Sequence, residues 1–330
     1  MLTRSFAVLC AASALLPALP AQAGTFFGLT DIDFPGGVAG NTTPFAINNS
    51  GQIAGTYYDP AVGFRVFSLN NGAYAPVDPA NAVNGSSFVS LNNSGQIVGF
   101  ANTATPPNFG NYYLASGGAF AAFPPATATL PPGASFSWYN DNGAIAGQSG
   151  SSAFISQNGV ITPIAPPTTT QTSINAINNS NSAVGGYFPA IPPGPTANQA
   201  AFLYANGVYT ELNPPGSQFT EATGINDNGE VVGYFDEAPI IGPGGIQVTP
   251  IIGFTYLDGI YTDYSVPGET ETELFGINNA GQVVGYYSDE MGNAHGFTAA
   301  TVPEPATLLV AATGVIGLAL IRRRRSPPAL

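Results

Sequence analysis

An all-β ring of six four-stranded antiparallel blades is what the sequence predicts, and three observations predict it. A phrase first met as Ile47-Asn48-Asn49-Ser50-Gly51-Gln52-Ile53-Ala54-Gly55 recurs until it has been written six times. A second turn signal, Asn-Gly or Asp-Gly between β-rich runs, appears at Asn71-Gly72, Asn158-Gly159, Asn206-Gly207 and Asp258-Gly259. The last copy has no fourth strand, whereas an orphan strand, Phe26 to Gly36, stands before the first.

The first Asn of the phrase falls at 48, 92, 140, 178, 226 and 278, so the intervals are 44, 48, 38, 48 and 52 residues, on average 46, the size of a propeller blade. The phrase has the chemistry of a hairpin turn. Its leading Asn accepts a hydrogen bond from the backbone two residues on, and its fourth-place Gly supplies the left-handed conformation of a type I turn with a G1 bulge. Asn181 replaces that Gly in the fourth copy, and Asn is the residue next most tolerant of this conformation. Ile before the turn and Val or Ile after it read as paired strands. The second hairpin, as in Ala201 to Leu212, raises the count to four strands per repeat, and Pro214-Pro215-Gly216 or Pro267-Gly268 carries the chain onward. Pairing Phe26 to Phe34 with the strand through Phe297 supplies the missing piece and closes a β-propeller without an open edge. A β-solenoid of stacked hairpins, or paired β-sandwiches, is the alternative use of the same strands.

The ends of the chain divide it into three regions. Residues 1–23 carry Arg4, an apolar run and Ala21-Gln22-Ala23, and read as a signal peptide that signal peptidase removes to leave Gly24 first. The only cysteine, Cys10, leaves with it, so residues 24–301, the repeat region, hold no disulfide. Residues 302–330 begin with Pro303, Glu304 and Pro305, continue as an uncharged segment, 306–321, and end in a basic tail, 322–325. At a rise of ~1.5 Å per residue that segment spans about 24 Å, short of a ~30 Å hydrocarbon core, which suits transient insertion in the inner membrane. Arg322, Arg323, Arg324 and Arg325 act as a membrane stop on the cytoplasmic side.

This tripartite tail resembles the PEP-CTERM sorting signal of exopolysaccharide-producing Gram-negative bacteria. The resemblance implies that an exosortase recognises the tail, removes the span, and releases or attaches the protein at the outer cell surface or beyond it. The phrase and its sequel, over most of residues 40–300, also resemble the extracellular HAF-repeat family, named for His-Ala-Phe in the third strand. That place reads His295-Gly296-Phe297 in the last copy and Gly253-Phe254, Ala201-Phe202, Ala153-Phe154 and Gly63-Phe64 elsewhere. The HAF family is defined by repetition and export and has no established activity to carry over.

Charge excludes whole classes of function. Only 8% of residues are charged, and from Gly24 to Val302 eighteen carboxylates face a single cation, Arg65, a net −17. Phosphate backbones and anionic membrane surfaces are repelled, so nucleic acid is not a partner. With no Lys, no mature Cys and one His, Schiff-base chemistry, thiol nucleophiles and two-histidine metal sites are out of reach. Carboxylate chemistry survives, as does a serine paired with His295, although His295 reads first as a structural remnant of the repeat.

Two candidates remain. Trp138 stands where the other copies have Ala46, Ser90, Ala176, Gly224 and Gly276, all small. It is expected to enter the central channel as a ligand contact, its indole stacking on a sugar ring, or to plug the gap between two blades. Glu269, Glu271 and Glu273 alternate along an extended segment and are the candidates for calcium, the one cofactor considered, with no cofactor the primary expectation. Asn226 to Gly229 is a turn and not a calcium loop. The sequence therefore predicts an exported, exosortase-processed, non-enzymatic binding or structural module associated with exopolysaccharide or biofilm matrix. The alternative is a glycosidase or lyase using paired carboxylates about 5–10 Å apart.

Overall fold

A computed structural model describes residues 22–80, 82–103, 110–167, 169–189, 199–241, 247–289 and 291–303. Residues 1–21, which hold most of the expected signal peptide including Ala21, and Glu304, Pro305, the uncharged segment 306–321 and the basic tail lie outside the described residues. No helix among the described residues is long and apolar enough to cross a membrane.

The phrase folds as its chemistry dictates. Gly51, Gly95, Gly143, Gly229 and Gly281 have φ between 73° and 84°, and Asn181 takes the same conformation at 59°. Asn226 is typical of the leading Asn: its Oδ1 accepts the backbone N–H groups of Asn228 and Glu230, both at 3.0 Å. On either side of these turns lie the innermost strands, β2 (Thr42–Ile47), β6 (Ala82–Leu91), β10 (Ser135–Tyr139), β14 (Thr169–Ile177), β18 (Thr220–Ile225) and β24 (Glu271–Ile277). Their partners are β3 (Ile53–Asp59), β7 (Ile97–Thr103), β11 (Ile145–Ser149), β15 (Ala183–Pro189), β19 (Val231–Asp236) and β25 (Gln282–Ser288). Third strands follow at β4 (Gly63–Asn70), β8 (Gly110–Ser116), β12 (Ser152–Gln157), β16 (Ala200–Ala205), β22 (Ile251–Leu257) and β26 (Ala294–Pro303). The outer strands are β5 (Ala73–Pro76), β9 (Ala119–Ala122), β13 (Val160–Ile164), β17 (Val208–Leu212) and β23 (Ile260–Tyr264), with a small hairpin, β20 (Ile240–Ile241) and β21 (Gln247–Val248), inserted in the fifth repeat.

The sixth outer strand is β1 (Gln22–Ile32), which runs antiparallel to β26 with Phe27 opposite Ala300 and Asp31 opposite Phe297. Phe26 seals the seam, its ring 5.2 Å from both Tyr264 and Phe297. The expectation of six separate blades is nevertheless corrected to four. The first four repeats form separate four-stranded sheets, but the last two share one eight-stranded sheet in the order β18-β19-β22-β23-β1-β26-β25-β24. The reason lies in the length of β1. Its first residues overrun β26 and pair in parallel with the preceding repeat, Gln22 with Thr262 and Ala23 with Asp263, while Ile251 meets Glu271 nearby.

The solenoid and sandwich alternatives fail on connectivity. Asn48, Asn140, Asn178 and Asn226 each donate from Nδ2 to the carbonyl of the matching Asn in the next repeat, at 2.9–3.2 Å. Asn278 then donates to Asn48 at 3.2 Å, so the sixth turn returns to the first. Apolar clusters fill the gaps between successive sheets, including Ile32, Ile47, Phe67 and Val284 where the last repeat meets the first. The inner strands thus surround a central axis, and whatever they aim inward shares one channel.

Candidate functional site

Two features occupy that axis. At the turn end, the second residue of each phrase points inward: Asn49, Asn93, Asp141, Asn179, Asp227 and Asn279. They are bonded in sequence around the ring, for example Asp227 N to Asn279 Oδ1 at 2.9 Å and Asn279 N to Asn49 Oδ1 at 2.8 Å. Asp227 Oδ2 accepts Nδ2 groups from Asn179, Asn93 and Asn279 at 3.2–3.4 Å. Burial raises the Asp141 carboxyl, but donors from Asn179, Ser94 and Asn93 outweigh it and hold the group below its ordinary value. Only about 50 Å³ is left inside, so the ring closes the channel rather than admitting a ligand.

At the other end the channel widens into a funnel of about 400 Å³. Each inner strand carries an irregularity at the same place, between Pro44 and Ala46, Phe88 and Ser90, Phe136 and Trp138, Ile174 and Ala176, Ala222 and Gly224, and Leu274 and Gly276. The extra residue of a bulge is left unpaired and its side chain re-aimed. Here the six extra residues are Phe45, Val89, Ser137, Asn175, Thr223 and Phe275, and all of them line the funnel. The closing Gly of the phrase makes the bulge possible, since a Cβ on Gly185 would lie 1.9 Å from Ser173 O and one on Gly285 2.0 Å from Glu273 O.

Trp138 stands between ring and funnel and lines both. Half-buried, it packs against three apolar clusters that together involve the first five repeats. It therefore lies on the axis, as the ligand-contact expectation requires, while also filling space, as a plug does. Phe45, Phe88, Phe136, Tyr234 and Phe275 complete an aromatic wall, with Phe45 to Phe275 at 5.2 Å and Tyr234 to Phe275 at 6.4 Å.

One side of this wall is acidic. Glu221 lines the funnel, accepts a hydrogen bond from Asn175 and is raised by burial. On the neighbouring strand, burial and the Glu271 charge push the Glu273 carboxyl up to about 7, against donation from Tyr286. Tyr286 Oη reaches Glu271 Oε1 at 2.6 Å and Glu273 Oε1 at 3.3 Å, so these two share a face as their alternation predicts. Glu269 precedes the strand, in a turn where its N–H bonds Val266 O at 3.1 Å, so the three do not form one line. Among the described residues no group of three or more His, Cys, Asp and Glu is arranged to hold a metal ion. Sequence reasoning missed Glu221, although it stands five residues before Asn226 as Glu273 stands before Asn278.

The remaining candidates lie away from the axis. His295 Nε2 is 3.2 Å from Asp289 Oδ2 and its ring stacks on Tyr287 at 5.0 Å. Ala23 and Gly24 sit in β1, where Gly24 pairs with Pro303 at the end of β26.

Residues 301–325 match the PEP-CTERM protein-sorting motif. No curated protein matches the chain. Among solved structures, the chain is similar to the β-propeller domain of the Trilobed protease from Pyrococcus furiosus, at 10% identity and a TM-score of 0.50 over 80% of this chain and 95% of that one. TolB from Acinetobacter baumannii aligns at 10% identity and a TM-score of 0.46, over 77% of this chain and 64% of that one. The Aleuria aurantia lectin aligns at 10% identity and a TM-score of 0.40, over 81% and 98%. The first likeness establishes the propeller fold alone.

Proposed function

We propose that the chain is an exported protein whose tail is processed by an exosortase, and that its propeller serves at the cell surface as a non-enzymatic module binding extracellular polysaccharide. The sorting motif at 301–325 supports delivery. The binding half rests on one observation, the aromatic funnel at the open end of the axis, where flat apolar faces stand beside Ser137, Asn175, Thr223 and Glu221. Sugars present C–H faces to aromatic rings and hydroxyls to such polar groups. The HAF resemblance and the signal peptide fit the same destination, and binding at the surface needs no cofactor.

A second reading is favoured by Glu221 and Glu273, carboxyls from two repeats with raised proton affinity, which suit a polysaccharide-cleaving enzyme. They project from neighbouring strands, Glu221 lining the funnel and Glu273 buried and outside its lining, whereas glycoside hydrolysis needs carboxyls flanking the bond. The test is to incubate the full chain, purified in mild detergent, with a panel of polysaccharides and to score both retention and new reducing ends. Retention without new ends is expected. New ends that vanish in Glu221→Gln or Glu273→Gln would establish the enzyme instead.

A further inference from the structure

Among the described residues the acidic side of the funnel has no counter-ion. Glu221, Glu271 and Glu273 surround Tyr234, whose hydroxyl is pushed up by burial and by those three charges. The only cation between Gly24 and Val302 is Arg65, and it is committed to Asp78 at 2.8 Å and Asp59 at 3.9 Å in the first repeat. A carboxylate held in a partly dry wall without a cation is an unbalanced charge, and it is neutralised by a proton or by a cationic partner. A second, independent mark lies across the wall. Ser137, one of the bulge residues lining the funnel, holds a buried Oγ with no hydrogen-bond partner.

We infer that the funnel selects a protonated amino sugar, whose pyranose face lies on the aromatic wall around Trp138 and whose ammonium is taken by Glu221 and the carboxylates behind it. This deepens the polysaccharide reading and rests on it. Each part of the ligand answers a part of the wall. The C–H face covers Trp138, Phe45 and Phe275, and a hydroxyl reaches Thr223. The ammonium gains a charge-assisted hydrogen bond and the attraction of aromatic faces to a cation. A neutral sugar leaves the carboxylates unbalanced, and a uronic acid meets like charge. The volume of about 400 Å³ admits one or two hexose rings.

The experiment compares two probes that differ at the amine alone. The full chain in mild detergent is titrated with a fully deacetylated glucosamine hexamer and with its fully N-acetylated counterpart. Binding is followed by calorimetry and by the fluorescence of Trp138, the only indole in the chain. The deacetylated hexamer is expected to bind at least about tenfold more tightly at low salt, and the gap to narrow to less than about threefold near 0.5 M NaCl. The same narrowing is expected at low salt in the Glu221→Gln, Glu273→Gln double variant; the salt titration needs no variant, so the inference is exposed even if that variant does not fold. Equal or tighter binding of the acetylated hexamer overturns the amine assignment while leaving the saccharide site standing. A preference that survives the double variant overturns the role of these carboxylates. If neither hexamer changes the fluorescence or releases heat, the funnel is not a saccharide site and both readings fall.

Discussion

Arg65 and Glu273 show how a chain so poor in cations handles buried charge. Arg65 Nε donates to Asp78, whose side chain is 1% exposed and also receives Ser86 Oγ and, at 3.2 Å, Val66 N. Arg65→Met leaves that carboxylate buried without its cation. Because the arginine side chain is itself 27% exposed, the expected loss is at the low end for a broken buried pair, about 1–3 kcal/mol by denaturant unfolding. Adding Asp78→Asn to that variant should recover part of it. Glu273 works in the opposite sense. Its carboxyl is raised to about 7 in the folded chain, so the folded state holds a proton that the unfolded state gives up. The resulting stability is complete below the ordinary carboxylate range and is lost as pH rises through about 7. Asp263, raised to about 6 by burial and Glu237, acts with the same sign. Thermal unfolding is therefore expected at a higher temperature at pH 5 than at pH 7.5, with Glu273→Gln flattening about 1–3 kcal/mol of that dependence.

The recurring turn was legible in the sequence, and the bulge beside it was not. Asn and Gly report the turn because its geometry is set within five residues by their own side chains and φ preferences. Asn226→Ala removes two acceptor contacts and the donor to Asn278 O, and should cost about 2–3 kcal/mol; Asn226→Asp keeps the acceptor but turns a buried carboxylate oxygen on Asn278 O and Glu230 Oε2, and should cost at least as much. A bulge, by contrast, depends on how two strands pair, so the inward aim of Phe45 or Thr223 has no local mark. One trace existed. The closing Gly recurs in all six copies, and it does so because the space of its Cβ is already taken, by the neighbouring strand's carbonyl in five of them and by the Tyr113 ring at Gly99. Gly285→Ala is accordingly expected to unfold the last repeat or to cost more than about 3 kcal/mol, whereas Gly292→Ala, with nothing within 4 Å, meets only the strain of its positive φ. The position of Glu221 was legible too, by matching repeats, but its meaning required the funnel.

For the whole molecule, the repeat count and the closure through β1 were readable because one missing strand and one orphan strand imply each other. The joining of the last two repeats into an eight-stranded sheet was not, since it hangs on single points of contact, Gln22 and Ala23 overrunning their partner and Ile251 meeting Glu271, which leave no local mark. Removing Phe26 to Phe34 should abolish single-step unfolding and promote self-association, measured by calorimetry and light scattering, because it bares the long strand β26. That same strand ends at Pro303, opposite Gly24, so the first strand of the ring to be made is completed by the last. The early portion therefore waits, one flank unsatisfied, until the stretch bordering the sorting motif arrives. The ring can lock only once nearly the whole repeat region has been made, so a chain cut short anywhere before β26 keeps an open seam.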